Sequence, residues 1–263
     1  MSSTQLALIT GASSGIGAMY AKRLAARGYD LILVSRDEKR LTALAGELHR
    51  ELGVKVQVIS ADLTQPAGLQ RITDELATNS KITLFINNAG MSVAERFLDS
   101  NMDQVQAMLA LNVIAPTQLA YAAARAFRQR GTGTLVNIAS VMALISEMRN
   151  GAYSATKSFL LTLSRAIEDE LRDSDVHVQA VLPGLTRTSI FERIGKTVDE
   201  LPPENLMDVE DLVDAALSGL DNGESVTIPS LENIALWEEF EQQRQALYPH
   251  LSLRKPASRY QRH

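Results

Sequence analysis

The chain has 263 residues, of which 45% are hydrophobic and 22% are charged. This composition matches soluble globular proteins and excludes the disordered, collagen-like and coiled-coil classes. The chain contains no cysteine, which excludes disulfides, thiolate nucleophiles and cysteine-containing zinc sites, and its four histidines are too scattered to form a metal site. The net charge of −5 gives no general attraction to nucleic acid or to an anionic membrane.

The first residues and the apolar runs bear on where the protein resides. Residues 1–5 carry no basic segment, and the apolar run at 6–9 is too short for the hydrophobic part of a secretory signal. No apolar run approaches the roughly 18–20 residues that a membrane span requires. We therefore expect a cytoplasmic protein whose partner is a small molecule rather than nucleic acid or a membrane.

Seven short apolar runs predict β-strands, at residues 6–10, 31–35, 54–60, 82–87, 134–139, 176–182 and 225–229. Several of them, such as residues 31–34, are continuous apolar blocks rather than alternating ones, which is typical of a parallel sheet with both faces covered. The stretches between them have helical periodicity. Strands that alternate with helices in this way predict an α/β fold with a doubly wound parallel sheet.

No internal repeat, low-complexity tract or linker divides the chain, so we expect one domain over residues 1–263. Residues 189–208 are polar and contain Pro202-Pro203, and they indicate either a mobile lid over a site or a plain surface loop. Residues 231–247 predict an amphipathic helix that packs on the domain or on a partner subunit, the alternative being a solvated terminal helix.

The first predicted strand runs into a glycine-rich turn, Thr10-Gly11-Ala12-Ser13-Ser14-Gly15-Ile16-Gly17, which a helix follows. Glycine allows positive φ angles and a close approach of the backbone to a pyrophosphate, and the start of a helix attracts anions. The spacing differs from the standard GxGxxG fingerprint, and no lysine follows the last glycine as it would in a phosphate-loop NTPase. The turn predicts a dinucleotide site, although a tight strand-to-helix turn alone also explains it.

The second predicted strand ends in Ser35 and Arg36, where NAD-binding proteins place an acidic residue on the adenosine ribose. A guanidinium cannot accept a hydrogen bond from a ribose hydroxyl, but it pairs well with a 2′-phosphate. We therefore predict NADP (NADPH) as the cofactor, with NAD less favoured. The next residue, Asp37, precedes a helical Glu-Lys-Arg run and is interpreted as the N-cap of that helix.

The fourth predicted strand ends in the polar turn Asn87-Asn88-Ala89-Gly90. Ligands of open α/β sheets lie beyond the carboxyl ends of the strands, so this turn falls where a cofactor is expected. The alternative is a structural Asn-Gly turn without a ligand.

Tyr153 and Lys157 are four residues apart in a predicted helix, so their side chains share one face. A phenol is a weak acid near neutrality, and a neighbouring ammonium favours the phenolate, which makes the pair a tuned proton donor. Ser140, thirteen residues earlier at the end of a strand, makes the pattern much rarer than Tyr-x-x-x-Lys alone. Asn112 interrupts an apolar helical stretch, and by itself it predicts a side chain that faces solvent.

Taken in chain order, these motifs resemble those of the short-chain dehydrogenase/reductase family, and the resemblance covers about residues 5–230. The matching residues are Thr10-Gly11-x-x-x-Gly15-Ile16-Gly17, Asp62-Leu63, Asn87-Asn88-Ala89-Gly90, Asn112, Ser140, Tyr153-x-x-x-Lys157 and Pro183-Gly184. The resemblance implies a Rossmann fold and an NAD(P)-dependent oxidoreductase that interconverts a carbonyl and a secondary alcohol by hydride transfer.

The resemblance also implies a role for each catalytic residue. Tyr153 would exchange a proton with the substrate oxygen, and Lys157 would support it and bind the nicotinamide ribose. Ser140 would orient the carbonyl, and Asn112 would hold a water that links Lys157 to solvent. The implied cofactor-binding residues are Gly11, Ser13, Ser14, Gly15, Ile16, Gly17, Ser35, Arg36, Asp62, Leu63, Asn88, Ala89, Gly90, Tyr153, Lys157, Pro183, Gly184, Thr186 and Thr188.

The substrate is expected to be fairly hydrophobic, because the residues expected at the mouth of the site are mostly apolar. They are the span 141–150 together with Met91, Val93, Leu185, Ile190 and Phe191. Many family members have a proline shortly before the tyrosine, and this chain has none there. Within the span, Glu147 and Arg149 would admit a polar or charged substrate.

The resemblance further implies a homodimer or homotetramer that assembles through two long helices, at about residues 103–130 and 153–172. The competing function is a catalytically silent, NADP(H)-sensing regulatory protein that keeps the fold without turnover. A ketoacyl-thioester reductase would be a substrate variant of the enzyme. The presence of all four catalytic groups favours the enzyme.

Overall fold

A computed structural model of the chain describes residues 5–145, 147, 151–188 and 203–260. The chain divides into two compact units, Met1–Pro229 and Ser230–His263. The first unit contains the whole sheet and has the predicted Rossmann-type α/β fold. The expectation that one domain includes every residue of the chain stays a prediction.

The sheet has seven parallel strands among the described residues, in the order β3-β2-β1-β4-β5-β6-β7. The strands are β1 (Leu6–Thr10), β2 (Asp30–Ser35), β3 (Val56–Ser60), β4 (Ile82–Asn87), β5 (Thr132–Ile138), β6 (Asp175–Val181) and β7 (Val226–Thr227). Every predicted strand is present, and its ends lie within two residues of the predicted ends. The prediction of a parallel sheet is therefore confirmed.

Helices cover both faces of the sheet. They are α1 (Gly15–Ala26), α2 (Glu38–Leu52), α3 (Pro66–Thr78), α4 (Met102–Leu109), α5 (Ala115–Arg130), α6 (Gly151–Glu170) and α7 (Val209–Asp221), and the second unit holds α8 (Ala235–Ala246). On one face Leu33 packs with Tyr20 of α1, and on the other Phe85 packs with Phe127 of α5. All four side chains are fully buried. Burial on both faces explains why the strands read as continuous apolar blocks.

The stretch Met102–Arg130 runs through α4, one π-helical turn (Ala110–Ile114) and α5. By length and composition it is apolar enough to cross a membrane, which corrects the expectation that no apolar run of that length exists. In the structure its apolar side packs on the sheet, because Leu119, Ala123 and Phe127 lie in the buried core. The hydrophobicity of this stretch is thus accounted for by the fold of the first unit.

The parallel arrangement brings the carboxyl ends of six long strands to one edge of the sheet. The chain leaves β1 and β4, which are neighbours, toward opposite ends of the strand order, so a crevice is expected between their ends. The glycine-rich turn follows β1 and the Asn87–Gly90 turn follows β4. The sheet topology therefore collects the predicted motifs at one edge.

The last predicted segments fall partly outside the described residues. Residues 189–202 of the predicted lid, which include Ile190 and Phe191, lie outside them, as does Arg149. The remainder of the lid contains a short 3-10 turn, Pro203–Asn205, and Met207 pairs with Thr186. The C-terminal helix α8 is shorter than predicted, and none of its residues is buried. Whether it packs on the domain or on a partner stays a prediction.

Candidate active site

The glycine-rich turn is shaped by three glycines that could not be replaced without strain. Gly11 and Gly15 have φ angles of 68° and 56°, a region that residues with a Cβ rarely adopt. A Cβ on Gly17 would lie 2.5 Å from the Gly11 carbonyl oxygen. Since α1 begins at Gly15, the positive end of its dipole lies at this turn. The turn has the backbone shape and electrostatics that a pyrophosphate requires.

Asn88 and Thr10 join the turn after β4 to the turn after β1. Thr10 Oγ1 accepts hydrogen bonds from the backbone amides of Asn88 and Ala89, at 3.0 and 3.1 Å. Asn88 Nδ2 donates to the Thr10 carbonyl oxygen at 2.8 Å. The preceding Asn87 points into the protein instead and donates to Asn137 at 2.9 Å. Asn88 is thus a structural support of the glycine-rich turn, in keeping with a cofactor site that includes both turns.

The end of β2 presents a cation, because Arg36 is exposed there. Asp37 accepts a hydrogen bond from the Arg40 amide at 3.0 Å at the start of α2, so the N-cap prediction is confirmed.

Asp62, just past the end of β3, lies within electrostatic reach of Arg36. Burial raises the pKa of Asp62, but hydrogen bonds from Thr64 and the positive charge of Arg36 outweigh it, so the net pKa lies below its usual value. Thr64 donates through its amide at 2.9 Å and its hydroxyl at 2.7 Å. Leu63 is buried between the sheet and α3. Asp62 is therefore a carboxylate that is already oriented by the protein.

The segment after β6 runs from the Ser140 region to the glycine-rich turn. The Pro183 carbonyl accepts hydrogen bonds from Val141 N at 3.0 Å and from Ser140 Oγ at 3.4 Å. Five residues later, the side chain of Thr188 lies 3.4 Å from the position that a Cβ on Gly15 would occupy. The predicted Pro183–Thr188 segment therefore spans both ends of the site.

Tyr153 and Lys157 lie on the same face of α6, as predicted. The Lys157 Nζ is 5.8 Å from the centroid of the Tyr153 ring. Lys157 is buried, with 7% of its surface exposed, and donates to the Ile138 carbonyl at the end of β5 at 2.9 Å. Burial lowers the pKa of Lys157 to about 8. A buried ammonium beside the ring favours the phenolate form of tyrosine more strongly than a solvated one would.

Asn112 is buried, so the prediction of a solvent-facing side chain is wrong. It lies in the π-helical turn Ala110–Ile114, and such a turn changes the direction of side chains relative to a regular α-helix. Its Oδ1 accepts from Met91 N at 2.9 Å, and its Nδ2 donates to Met91 O at 2.8 Å and to Thr156 Oγ1 at 3.2 Å. Both amide hydrogens of Asn112 are thus committed to protein partners.

Gly90 lies where Asn112 and Lys157 converge. A Cβ at residue 90 would lie 3.3 Å from Asn112 Oδ1 and 3.7 Å from Lys157 Nζ. The π turn, the turn after β4 and α6 therefore meet at this point. The structure brings Asn112, Tyr153 and Lys157 together next to the edge of the sheet where the two turns lie.

Thr156 and Ser158 are two residues of the site that the sequence analysis did not identify. Thr156 is buried, and its hydroxyl donates to the Tyr153 carbonyl at 2.7 Å while accepting from Asn112. Ser158 donates to the Ala143 carbonyl at 2.8 Å, which ties the turn after Ser140 to α6. Their positions flanking Lys157 in the helix were the available signal, but small hydroxyl residues are common in helices and carry little information alone.

Ser140 follows β5 and caps the 3-10 turn Val141–Ala143. Its hydroxyl accepts from Met142 N at 3.2 Å and donates to the Pro183 carbonyl. Ser140 is nearly buried, with 7% exposed. The hydroxyl is therefore held between two protein partners at the same sheet edge as Lys157.

The apolar residues near Tyr153 differ in exposure. Val93 is buried in a cluster with Val105 and Met108, and Met91 and Tyr153 pack against that cluster. Whether Val93 also lines the mouth stays a prediction. Leu144 and Ile145 are exposed, and so is Glu147. These three are the exposed residues in the described part of the span 141–150.

The comparisons with known proteins agree with this geometry. A model of the family "short chain dehydrogenase" matches residues 5–199. The 17-beta-hydroxysteroid dehydrogenase type 3 of Homo sapiens is 32% identical over 210 residues, which are 77% of this chain and 67% of that protein.

Two solved structures match almost the whole chain. A short-chain dehydrogenase from Sphingobium yanoikuyae in complex with NADPH is 46% identical, with a TM-score of 0.95, and the match covers 98% of this chain and 100% of that one. A bulky-bulky ketone specific alcohol dehydrogenase from Comamonas testosteroni is 42% identical, with a TM-score of 0.92 and coverage of 99% and 100%. The chain belongs to the short-chain dehydrogenase/reductase family and is an NAD(P)-dependent oxidoreductase.

Proposed function

We propose that this protein is an NADP-dependent oxidoreductase that interconverts a ketone and a secondary alcohol, with a bulky group on each side of the carbonyl carbon. The observation that carries the proposal is the buried Lys157 ammonium, 5.8 Å from the centre of the Tyr153 ring. A sensor would use the Lys157 ammonium only to hold the nicotinamide ribose, whereas proton transfer also requires the phenol beside it. The pair therefore favours the enzyme over the silent regulatory protein.

The residues present fit an NADPH molecule. The turn from Gly11 to Gly17 would hold the pyrophosphate, because its glycines allow a close backbone approach and α1 begins there. Arg36, together with Ser35, would hold the 2′-phosphate, because its guanidinium is exposed at the end of β2 and pairs well with a phosphate. The match to the Sphingobium protein, whose structure contains NADPH, supports this choice over NAD.

The remaining cofactor contacts are assigned by the family pattern. Asp62 and Leu63 would lie near the adenine, and residues 88–90 near the adenosine ribose and the end of the sheet. Lys157 and Tyr153 would contact the nicotinamide ribose, and the segment from Pro183 to Thr188 the carboxamide. When bound, NADPH supplies the hydride for reduction of the carbonyl carbon.

The protein's own residues handle the proton. In the direction of reduction the Tyr153 hydroxyl donates its proton to the substrate oxygen, and the positive charge of Lys157 stabilises the phenolate that remains. Ser140 would donate a hydrogen bond to the same oxygen after its hydroxyl rotates away from the Pro183 carbonyl. Reprotonation of Tyr153 then proceeds through Lys157 and a water.

Asn112 has a more limited role in that relay than the family pattern implies. Its two amide hydrogens are used by Met91 and Thr156, so only the second lone pair of Oδ1 is left for a water. We assign to Asn112 the task of fixing the π turn and Met91 against α6. A water held by its side chain would have to donate to Oδ1.

The proposed substrate class rests on the relative from Comamonas and on the residues after Ser140. Leu144 and Ile145 are exposed apolar side chains, and the family's proline before the tyrosine is absent from this chain. An apolar mouth favours a ketone with hydrophobic groups on both sides.

A panel of ketones tests the proposal. NADPH oxidation would be followed with a diaryl ketone, an aryl ketone with a long alkyl chain, acetophenone and acetone. We expect kcat/KM to fall along this series, with acetone at least about 100-fold below the bulky ketones, since each apolar group lost from a pocket costs about 1–3 kcal/mol. Tight NADPH binding without turnover of any ketone or aldehyde would support the sensor instead.

A further inference from the structure

The second unit, Ser230–His263, exposes large apolar side chains. None of its described residues is buried. Six of these side chains form a set that we call the C-terminal face. They are Leu236 (58% exposed), Phe240 (49%), Leu247 (54%), Tyr248 (83%), Leu251 (72%) and Leu253 (67%). Six large exposed apolar side chains on a unit of 34 residues indicate an interaction surface.

Two of these residues, Leu236 and Phe240, are about one turn apart on one side of α8. Leu247 and Leu251, which follow α8, show the same spacing of four residues. The face continues past the end of α8 through the 3-10 turn Tyr248–His250. Three residues of the face, Leu247, Tyr248 and Leu251, line a groove of about 460 Å³ together with Arg244 and Gln245. The groove is large enough to receive an apolar side chain from another molecule.

The charges of the unit indicate which molecule that is. The exposed acidic residues Glu232, Glu238 and Glu239 lie at its beginning, and the exposed basic residues Arg254, Lys255 and Arg259 lie near its end. Two copies related by a twofold axis and running antiparallel would place the acidic part of each against the basic part of the other.

We propose that the C-terminal face docks against the same face of a second copy of this chain. A 34-residue unit is too short to form a core of its own, and association is a common way for such a segment to bury its apolar side chains. The family model ends at residue 199, so this contact lies outside the part of the chain that the family model describes. The proposal is independent of the substrate and of the catalytic residues.

Sedimentation equilibrium of the full-length protein tests the docking. The double variant Leu236→Asp with Phe240→Asp introduces charge into the face, and both side chains are exposed, so the fold of the first unit and NADPH-dependent turnover should persist. We expect the number of subunits per particle to halve, or the dissociation constant to rise at least 100-fold. Leu52→Asp is the matched control, since Leu52 is 45% exposed at the end of α2. The control should keep the wild-type mass.

Charge reversal provides a second test. Arg254→Glu with Lys255→Glu should weaken association at low salt, and adding Glu238→Lys with Glu239→Lys should restore it. A monomeric wild type would overturn the proposal, whether or not it binds anionic vesicles. An unchanged mass of the Leu236→Asp, Phe240→Asp variant would also overturn it, as would a failure of the fourfold charge reversal to restore association.

Discussion

Two regions at the same edge of the sheet are built in different ways. Around Tyr153, the side chains of Asn112, Thr156 and Lys157 are buried and have defined hydrogen-bond partners. At the end of β2, Arg36 is exposed and within electrostatic reach of the oriented carboxylate of Asp62. The buried hydrogen bonds fix the positions of these side chains and of the Lys157 charge. The exposed Arg36 acts mainly through its own charge.

This difference predicts which properties of the enzyme each region affects. The proton-transfer region is expected to affect turnover and folding stability together, because its groups are held in a medium where polar interactions are strong and unpaired groups are costly. The region at Arg36 is expected to change the choice of cofactor with little effect on stability. Substitutions near Tyr153 should therefore change turnover and folding stability, whereas substitution of Arg36 should change mainly the choice of cofactor.

The largest effect is expected from Tyr153→Phe, which keeps the ring and removes the proton. General acid catalysis contributes about 10²- to 10⁴-fold, so kcat should fall by about 10³-fold. NADPH affinity, measured by the quenching of protein fluorescence, should change less than about threefold. Retention of more than a tenth of the wild-type kcat would remove Tyr153 as the proton donor.

Lys157 should show opposite effects on activity and on stability. Lys157→Met removes the ammonium from the Tyr153 ring, and we expect kcat to fall about 100-fold. The same change removes a charge that burial disfavours, since the pKa of Lys157 falls from 10.5 to about 8. The free energy of unfolding at pH 7 should rise by about 1–3 kcal/mol. Urea denaturation of both proteins measures this, and a less stable variant would contradict the stated cost of burial.

The pH dependence follows from the same lowered pKa. The folded protein binds this proton less tightly than the unfolded chain, so the cost is fully present below about pH 8. From there to about pH 10.5 the contribution of Lys157 to stability improves, since the unfolded chain still binds the proton that the native state has lost. The kcat for ketone reduction should decline above about pH 8, when the ammonium becomes neutral. The side chain of the Lys157→Arg variant stays charged in this pH range, so its remaining kcat should show no such decline.

Arg36→Ala should alter cofactor choice and leave the rest of the enzyme intact. A charge-assisted contact to the 2′-phosphate is worth about 1.5–3 kcal/mol, so the preference for NADPH over NADH should fall about 10- to 100-fold. The ratio of kcat/KM for the two cofactors measures it. Arg40→Ala is a matched control on α2, because Arg40 also lies close to Asp37. An unchanged ratio in Arg36→Ala would remove the assignment of the 2′-phosphate.

The sequence predicts the strands and the convergence of the motifs because both follow from chain-local signals. Apolar blocks mark buried parallel strands, and the ends of such strands must share one edge. The burial of Asn112 could not be predicted from its own helix, because its side chain bonds to Met91 and Thr156, which are distant in sequence; only the family resemblance placed it at the site.

Thr156→Val should have the smallest effect, and it tests whether the buried network positions the catalytic helix. Valine keeps the shape of threonine but leaves one amide hydrogen of Asn112 unpaired. The hydrogen bonds that connect the π turn to the Tyr153 backbone through Thr156 are then lost. We expect kcat to fall about 10-fold with KM for the ketone changed less than twofold. Thr156→Ser, which keeps the hydroxyl, should recover most of the lost kcat. If valine and serine lower kcat equally, the hydroxyl has no positioning role and Thr156 contributes only its packing volume.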